Sequence, residues 1–107
     1  MSVPPSTLDW TLVRAFLAVA ETGSLSAAAR KLGQSQPTLG RHIKAAETAL
    51  GAALFTRVPS GFELTEVGRI LLEPAREMAT ASVRLETLAA GRDMTVSGVR
   101  RQIIWDA

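Results

Sequence analysis

Apolar residues recur at helical spacing in four stretches of the chain, and one short stretch between the third and fourth carries strand formers instead. The first stretch holds Leu12, Val13, Phe16, Leu17, Val19 and Ala20, a broad apolar stripe. Asp9 stands where a side-chain oxygen caps the first turn, and Gly23 stands where a left-handed residue closes the last. Ser24 caps a second helix over 25–32, with Leu25, Ala28, Ala29 and Leu32 facing inward; the alanines on that face let another helix approach closely. Only Gly33 and Gln34 then precede Ser35, the cap of a third helix, so the spacing predicts a helix-turn-helix unit. In the third helix Leu39, Ile43, Ala46 and Leu50 form the apolar stripe, and Gly51 ends it.

After Gly51 the pattern changes. Residues 54–57 (Leu-Phe-Thr-Arg) and 62–64 (Phe-Glu-Leu) flank the turn-forming run Val58-Pro59-Ser60-Gly61, which predicts a β-hairpin the size of a wing. Thr65 caps a fourth helix beginning at Glu66, whose carboxylate suits the positive end of the helix dipole. This helix is expected to end at Gly91. Leu71, Pro74, Met78, Ala81, Leu85 and Leu88 step along it at the 3.5-residue period of a coiled-coil seam, and Pro74 is expected to kink it. A helix of about 25 residues spans about 37 Å, more than three short helices and a hairpin cover. Part of its stripe is therefore expected to bury against a second copy of the chain. The fold class expected is mainly α: a winged helix-turn-helix of three helices and a two-stranded wing over 1–65, a dimerisation or linker helix over 66–91, and a tail over 92–107.

Composition narrows the function classes. A chain of 107 residues with 47% hydrophobic content supports one domain, or one domain with an extended appendage. Without cysteine there is no disulfide framework or thiolate site, and a single histidine with no carboxylates grouped near it gives no zinc site. No metal and no cofactor are expected. No apolar run approaches a membrane span, and the polar start lacks the features of a signal peptide, so a cytoplasmic protein is expected. No nucleophile–base set, paired carboxylates or phosphate-cradling glycine loop is present, so an enzyme is not expected and there is no catalytic residue to name.

The net charge of +2 says little, but its distribution says more. Between Ser24 and Arg57 there are five cations against Glu47 alone; between Phe62 and Met94 there are four against six carboxylates. A basic block followed by an acidic one points to one segment that meets an anion and one that does not. Within the basic block, the side of the third helix opposite its apolar stripe carries Gln36, Pro37, Gly40, Arg41 and Lys44. One buried face and one cationic, donor-rich face is what reading a DNA major groove requires. Arg41 can present its fork to two acceptors of guanine, Gln36 can pair two-pronged with adenine, and Lys44 suits a phosphate. His42, beside that face, is expected to be a partly exposed surface residue.

These residues resemble the LysR-type transcriptional regulators of bacteria. The resemblance runs from about Leu8 to Ala90 and rests on a Gly-Ser-x-x-Ala-Ala second helix at 23–28, Ser35-Gln36-Pro37, the Leu-Phe-x-Arg strand at 54–57 and Leu-Thr-x-x-Gly at 64–68. It implies a winged helix-turn-helix followed by a linker helix that pairs antiparallel with its mate. It further implies that Gln36, Pro37, Thr38, Gly40, Arg41 and Lys44 line the major groove. Ser26 and Ser35 would contact phosphates, and Arg57 with Ser60 would bring the wing to the minor groove or its phosphates. The dimer seam would hold Leu71, Met78, Ala81, Leu85 and Leu88. Double-stranded DNA, in the form of an interrupted inverted repeat, and a second copy of the chain are the partners expected; no small-molecule inducer is assigned to these residues. Family members usually carry serine or a larger residue where this chain has Gly40, and leucine where it has Ala46. The tail resembles the start of the family's effector domain. The competing expectation is a helical dimerisation module that does not bind DNA.

Overall fold

The computed structural model describes residues 8–95, with side chains as far as Gly91. Three helices come first, α1 (Trp10–Thr22), α2 (Leu25–Leu32) and α3 (Gln36–Leu50). An antiparallel hairpin of β1 (Phe55–Val58) and β2 (Gly61–Leu64) follows, and then the long helix α4 (Glu66–Thr95). The tail from 96 onward lies outside the described residues. Two compact units divide after Ala75.

Each of the first three helices is bounded by the residues the sequence offers for the purpose. Asp9, Ser24 and Ser35 accept from the backbone N–H of Leu12, Ala27 and Thr38, respectively. Gly23, Gly33 and Gly51 close them in the left-handed conformation, which glycine adopts without a Cβ penalty. Pro37 lies in the first turn of α3, where its missing N–H has no intrahelical acceptor to lose.

The core of the first unit is built on α1, where Leu12, Val13 and the run 15–19 are buried. Ala28 and Ala29 of α2 are enclosed, as are Leu39, Ile43 and Ala46 of α3. The alanine face of α2 is thus a close-packed face, as its small residues predict. Phe16, Phe55 and Phe62 form an aromatic row from α1 into the hairpin, with centroids 5.6 Å and 6.0 Å apart in tilted and edge-on geometry.

Two expectations about element limits need correction. The wing turn is shorter than Val58–Gly61: Val58 and Gly61 pair in the ladder, leaving Pro59 and Ser60 as the loop. In the ladder Arg57 lies opposite Phe62 and Phe55 opposite Leu64. Helix α4 does not stop at Gly91 but runs on to Thr95. Glycine permits a left-handed stop without imposing one, and Gly91 is not among the glycines with positive φ. A third correction concerns packing. Leu50, placed in the apolar stripe of α3, is 38% exposed, because the last residue of the helix lies beyond the core that its predecessors enter.

Candidate nucleic-acid interface

With Leu39, Ile43 and Ala46 turned into the core, α3 is oriented as the amphipathic pattern requires: Gln36, Pro37, Arg41 and Lys44 are exposed, and Thr38 and Gly40 are half-buried. Small polar contacts order the start of this face. The Ser35 hydroxyl accepts from the Thr38 backbone N–H at 3.2 Å and donates to Thr38 Oγ1 at 2.9 Å. Thr38 Oγ1 also accepts from Arg41 Nη2 at 3.2 Å, so the guanidinium is drawn along the outer surface of the helix. One residue later the exposure reverses: His42 is half-buried, and its Nδ1 is enclosed without a hydrogen-bond partner, as is Oε1 of Gln34 in the α2–α3 turn. His42 is thus partly exposed, as expected, with one ring nitrogen turned inward.

The wing borders this face. Its anchor is a backbone contact: the Phe62 N–H donates to the Gly23 carbonyl at 2.9 Å, tying β2 to the α1–α2 corner. Gly61 has φ 141° and a Cβ there would overlap that carbonyl, so the position admits only glycine without rearrangement. Arg57 lies over the Phe62 ring at 5.2 Å from its centroid, a cation–π contact between cross-strand partners. Ser60 is exposed at the hairpin tip. On α2, Ser26 Oγ accepts from Arg30 Nη1 at 2.9 Å, which sets a hydroxyl and a guanidinium side by side one turn apart. Lys31 is instead engaged by Glu21 at 2.8 Å across an exposed ion pair.

Between α3 and the wing the surface is hollowed. One cleft of about 280 Å³ is lined by Leu25, Gly40, Ile43, Lys44, Phe55 and Phe62, with Glu47 and Arg57 completing its walls. A second, of about 390 Å³, is lined by Ser24, Ser26, Gln36, the wing residues 57–59, Gly61, and again Leu25 and Phe62. The two share Leu25, Arg57 and Phe62. The structure therefore brings Gly40, Lys44 and Arg57 to one cleft and Ser26, Gln36 and Arg57 to the adjoining one, while Ser35, Pro37, Thr38, Arg41 and Ser60 line neither.

Three residues hold this surface in place through contacts that sequence reasoning did not assign. Glu47 Oε2 accepts from the Leu54 backbone N–H at 2.8 Å, fastening the end of α3 to the start of the wing. The Leu54 carbonyl accepts from the Thr65 N–H at 2.9 Å, while the Thr65 hydroxyl donates to the Ala53 carbonyl at 2.7 Å and accepts from the Gly68 N–H at 3.0 Å. Thr65 thus caps α4 and locks it to the strand entrance together. Leu54 and Gly68 stand in the motifs that carry the family resemblance, and Glu47 is the lone carboxylate of the basic block, but none of these signals names the contact each residue makes.

The seam residues expected on α4 are distributed unevenly. In the first unit Leu71 is half-buried while Val67 and Ile70 are 38% and 65% exposed. In the second, Met78, Leu85 and Leu88 are 44%, 71% and 64% exposed, Ala81 is exposed as well, and Val83 adds another open apolar side chain. Pro74 is exposed within the helix, and Ala75 is buried. Among the described residues no helix is long and apolar enough to cross a membrane.

Three helices, a two-stranded wing on the α1–α2 corner and an exposed outer face on α3 define a winged helix-turn-helix domain. Residues 10–69 match the model of the bacterial regulatory helix-turn-helix proteins of the lysR family, and the chain belongs to that family. Among its relatives, the HTH-type transcriptional regulator ClcR of Pseudomonas putida is 44% identical over 87 residues, which is 79% of this chain and 30% of ClcR. The small neutral protease regulatory protein of Streptomyces coelicolor is 47% identical over 68 residues, 64% of this chain and 21% of that protein. The chain thus spans less than a third of the length of these curated relatives. The crystal structure of a complex of the CbnR DNA-binding domain with DNA superposes with a TM-score of 0.70 at 38% identity, covering 79% of this chain and all of that one.

Proposed function

We propose that this chain is the sequence-specific DNA-binding part of a bacterial transcription regulator and acts in the cytoplasm, as a regulator and not as an enzyme. In this reading residues 1–65 form the DNA-binding domain, and α4 from Glu66 onward pairs with its counterpart in a second copy. Two copies of α3, held at a fixed separation, read an interrupted inverted repeat. The observation that carries the reading is the outer face of α3: Gln36, Arg41 and Lys44 project into solvent while the same helix is anchored by Leu39, Ile43 and Ala46. A protein known as a DNA complex has the same fold over most of this chain, which supports it further.

The roles divide by chemistry. Arg41 and Gln36 reach base edges, with Pro37, Thr38 and Gly40 against the groove. Lys44, Ser26 and Ser35 meet phosphates, and Arg57 and Ser60 carry the wing to the neighbouring minor groove or its backbone. The Ser26–Arg30 pair supports the phosphate assignment, because a hydroxyl held by a guanidinium is a ready anion contact. Exposed Met78, Leu85 and Leu88 support pairing through α4.

Selection of bound duplexes from a random pool tests the reading, followed by titration of the recovered site against salt. The expected result is a pair of inverted half-sites whose affinity falls steeply as salt rises. Absence of binding to any duplex at low salt would overturn it in favour of a helical interaction module.

A further inference from the structure

Gly40, on the outer face of α3, is a glycine that the fold does not require. Its φ is not positive, so its backbone conformation is open to any residue. A Cβ at this position would meet only Leu25 Cδ2, at 3.8 Å, an ordinary contact, so no close approach excludes a side chain. Glycine is nevertheless the least favourable residue after proline in a helix interior. The missing side chain leaves a notch in the cleft between α3 and the wing, where Leu25, Ile43, Phe55 and Phe62 supply apolar walls and Lys44 lies one turn along the helix.

We propose that this notch receives the 5-methyl group of a thymine and that Gly40 thereby sets a base preference in each half-site. The inference rests on the reading of α3 as the DNA-facing helix and goes beyond it by naming the group recognised. Among the groups that base pairs display in the major groove, the thymine 5-methyl is the apolar one. A base oxygen or amino group in the same place would lie against Leu25 Cδ2, the one atom a Cβ there would meet, and Glu47, the carboxylate of the cleft lining, is already engaged by the Leu54 N–H. A phosphate would be drawn to Lys44 and Arg57 of the lining rather than to Leu25, which a Cβ at Gly40 would meet.

The test uses the 107-residue chain and duplexes carrying the selected site, with each thymine replaced in turn by deoxyuridine, which removes only the methyl. One thymine per half-site is expected at which this change weakens binding about fourfold, the effect of withdrawing one methyl from an apolar contact. The G40A variant is expected to reverse that preference: its Cβ fills the notch, so deoxyuridine at the same position binds as well as thymine or better. Its melting temperature should rise by roughly 4–8 °C, since the fold has no need of glycine there.

A scan with no thymine sensitive to its methyl overturns the proposal. So does a G40A variant whose thymine preference is kept or strengthened, because alanine would then be adding a methyl contact rather than displacing one. A G40A variant that unfolds overturns it by showing that the fold requires the glycine. These outcomes leave DNA binding by α3 intact, whereas failure to bind any duplex removes both readings.

Discussion

Replacing Gly68 with alanine is expected to destabilise the protein, although alanine is the better helix residue by about 1 kcal/mol. Gly68 is helical, so no conformational requirement for glycine enters. The opposition comes from the Leu54 carbonyl, which occupies the space a Cβ would need, and from Leu64 Cδ2 at 3.0 Å. Relieving the overlap means moving the start of α4 away from the strand entrance. That movement stretches the bonds from the Thr65 N–H to Leu54 (2.9 Å) and from the Thr65 hydroxyl to Ala53 (2.7 Å). Two such bonds contribute about 1 kcal/mol each, and overpacking costs about 1–3 kcal/mol more. After the helix gain is subtracted, a net loss of about 2–4 kcal/mol remains. Gly91, in the same helix, has nothing within 4 Å of a Cβ, so G91A should gain the propensity term alone. Urea unfolding followed by circular dichroism, with slopes compared to confirm that the same surface is exposed, separates the two variants by about 3–5 kcal/mol. A G68A variant as stable as the parent would refute the argument, because the carbonyl would then be free to give way.

Arg41→Ala should weaken binding to the selected site by about 1–3 kcal/mol and relax preference at one base position, as read by gel shift against a panel of single-base variants; unchanged affinity would remove Arg41 from the base-reading set. Glu47→Ala should lower unfolding stability by about 1.5–3 kcal/mol, since it removes a charged acceptor from the Leu54 N–H, and Glu47→Gln should recover part of the loss in the same urea assay. Leu85→Lys is expected to shift the chain from dimer to monomer in sedimentation equilibrium while leaving its helical signal nearly intact, as lysine and leucine have similar helix propensity. A dimer of undiminished strength would move the seam off Leu85.

Local chemistry decided the elements of this protein. Asp9, Ser24, Ser35 and Thr65 each offer a hydroxyl or carboxylate at the right place, and Gly23, Gly33 and Gly51 follow the last apolar residue of a periodic stretch. Caps and periodicity depend on neighbours within four residues, so they are visible in the chain as written. The outward orientation of Gln36, Arg41 and Lys44 follows from the same arithmetic, because burial of Leu39 and Ile43 leaves the opposite face no other direction. The two strands of the hairpin were legible from their strand formers and the turn residues between them, although the loop proved two residues shorter.

What tertiary structure alone decided lies at contacts between residues distant along the chain. Glu47 reads as a stray acid until α3 and β1 are brought together and its carboxylate meets the Leu54 N–H. Gly61 reads as a turn residue until the Gly23 carbonyl is found where its Cβ would be, and Gly68 as an ordinary helix weakness until Leu54 is found beside it. Leu50 obeys the period of α3 yet faces water, because a stripe predicts direction and not how far the core extends. The furrow between Gly40, Leu25 and the wing belongs to the same class: periodicity assigns a face to each residue, but the space left between two faces is set only when both elements are in position.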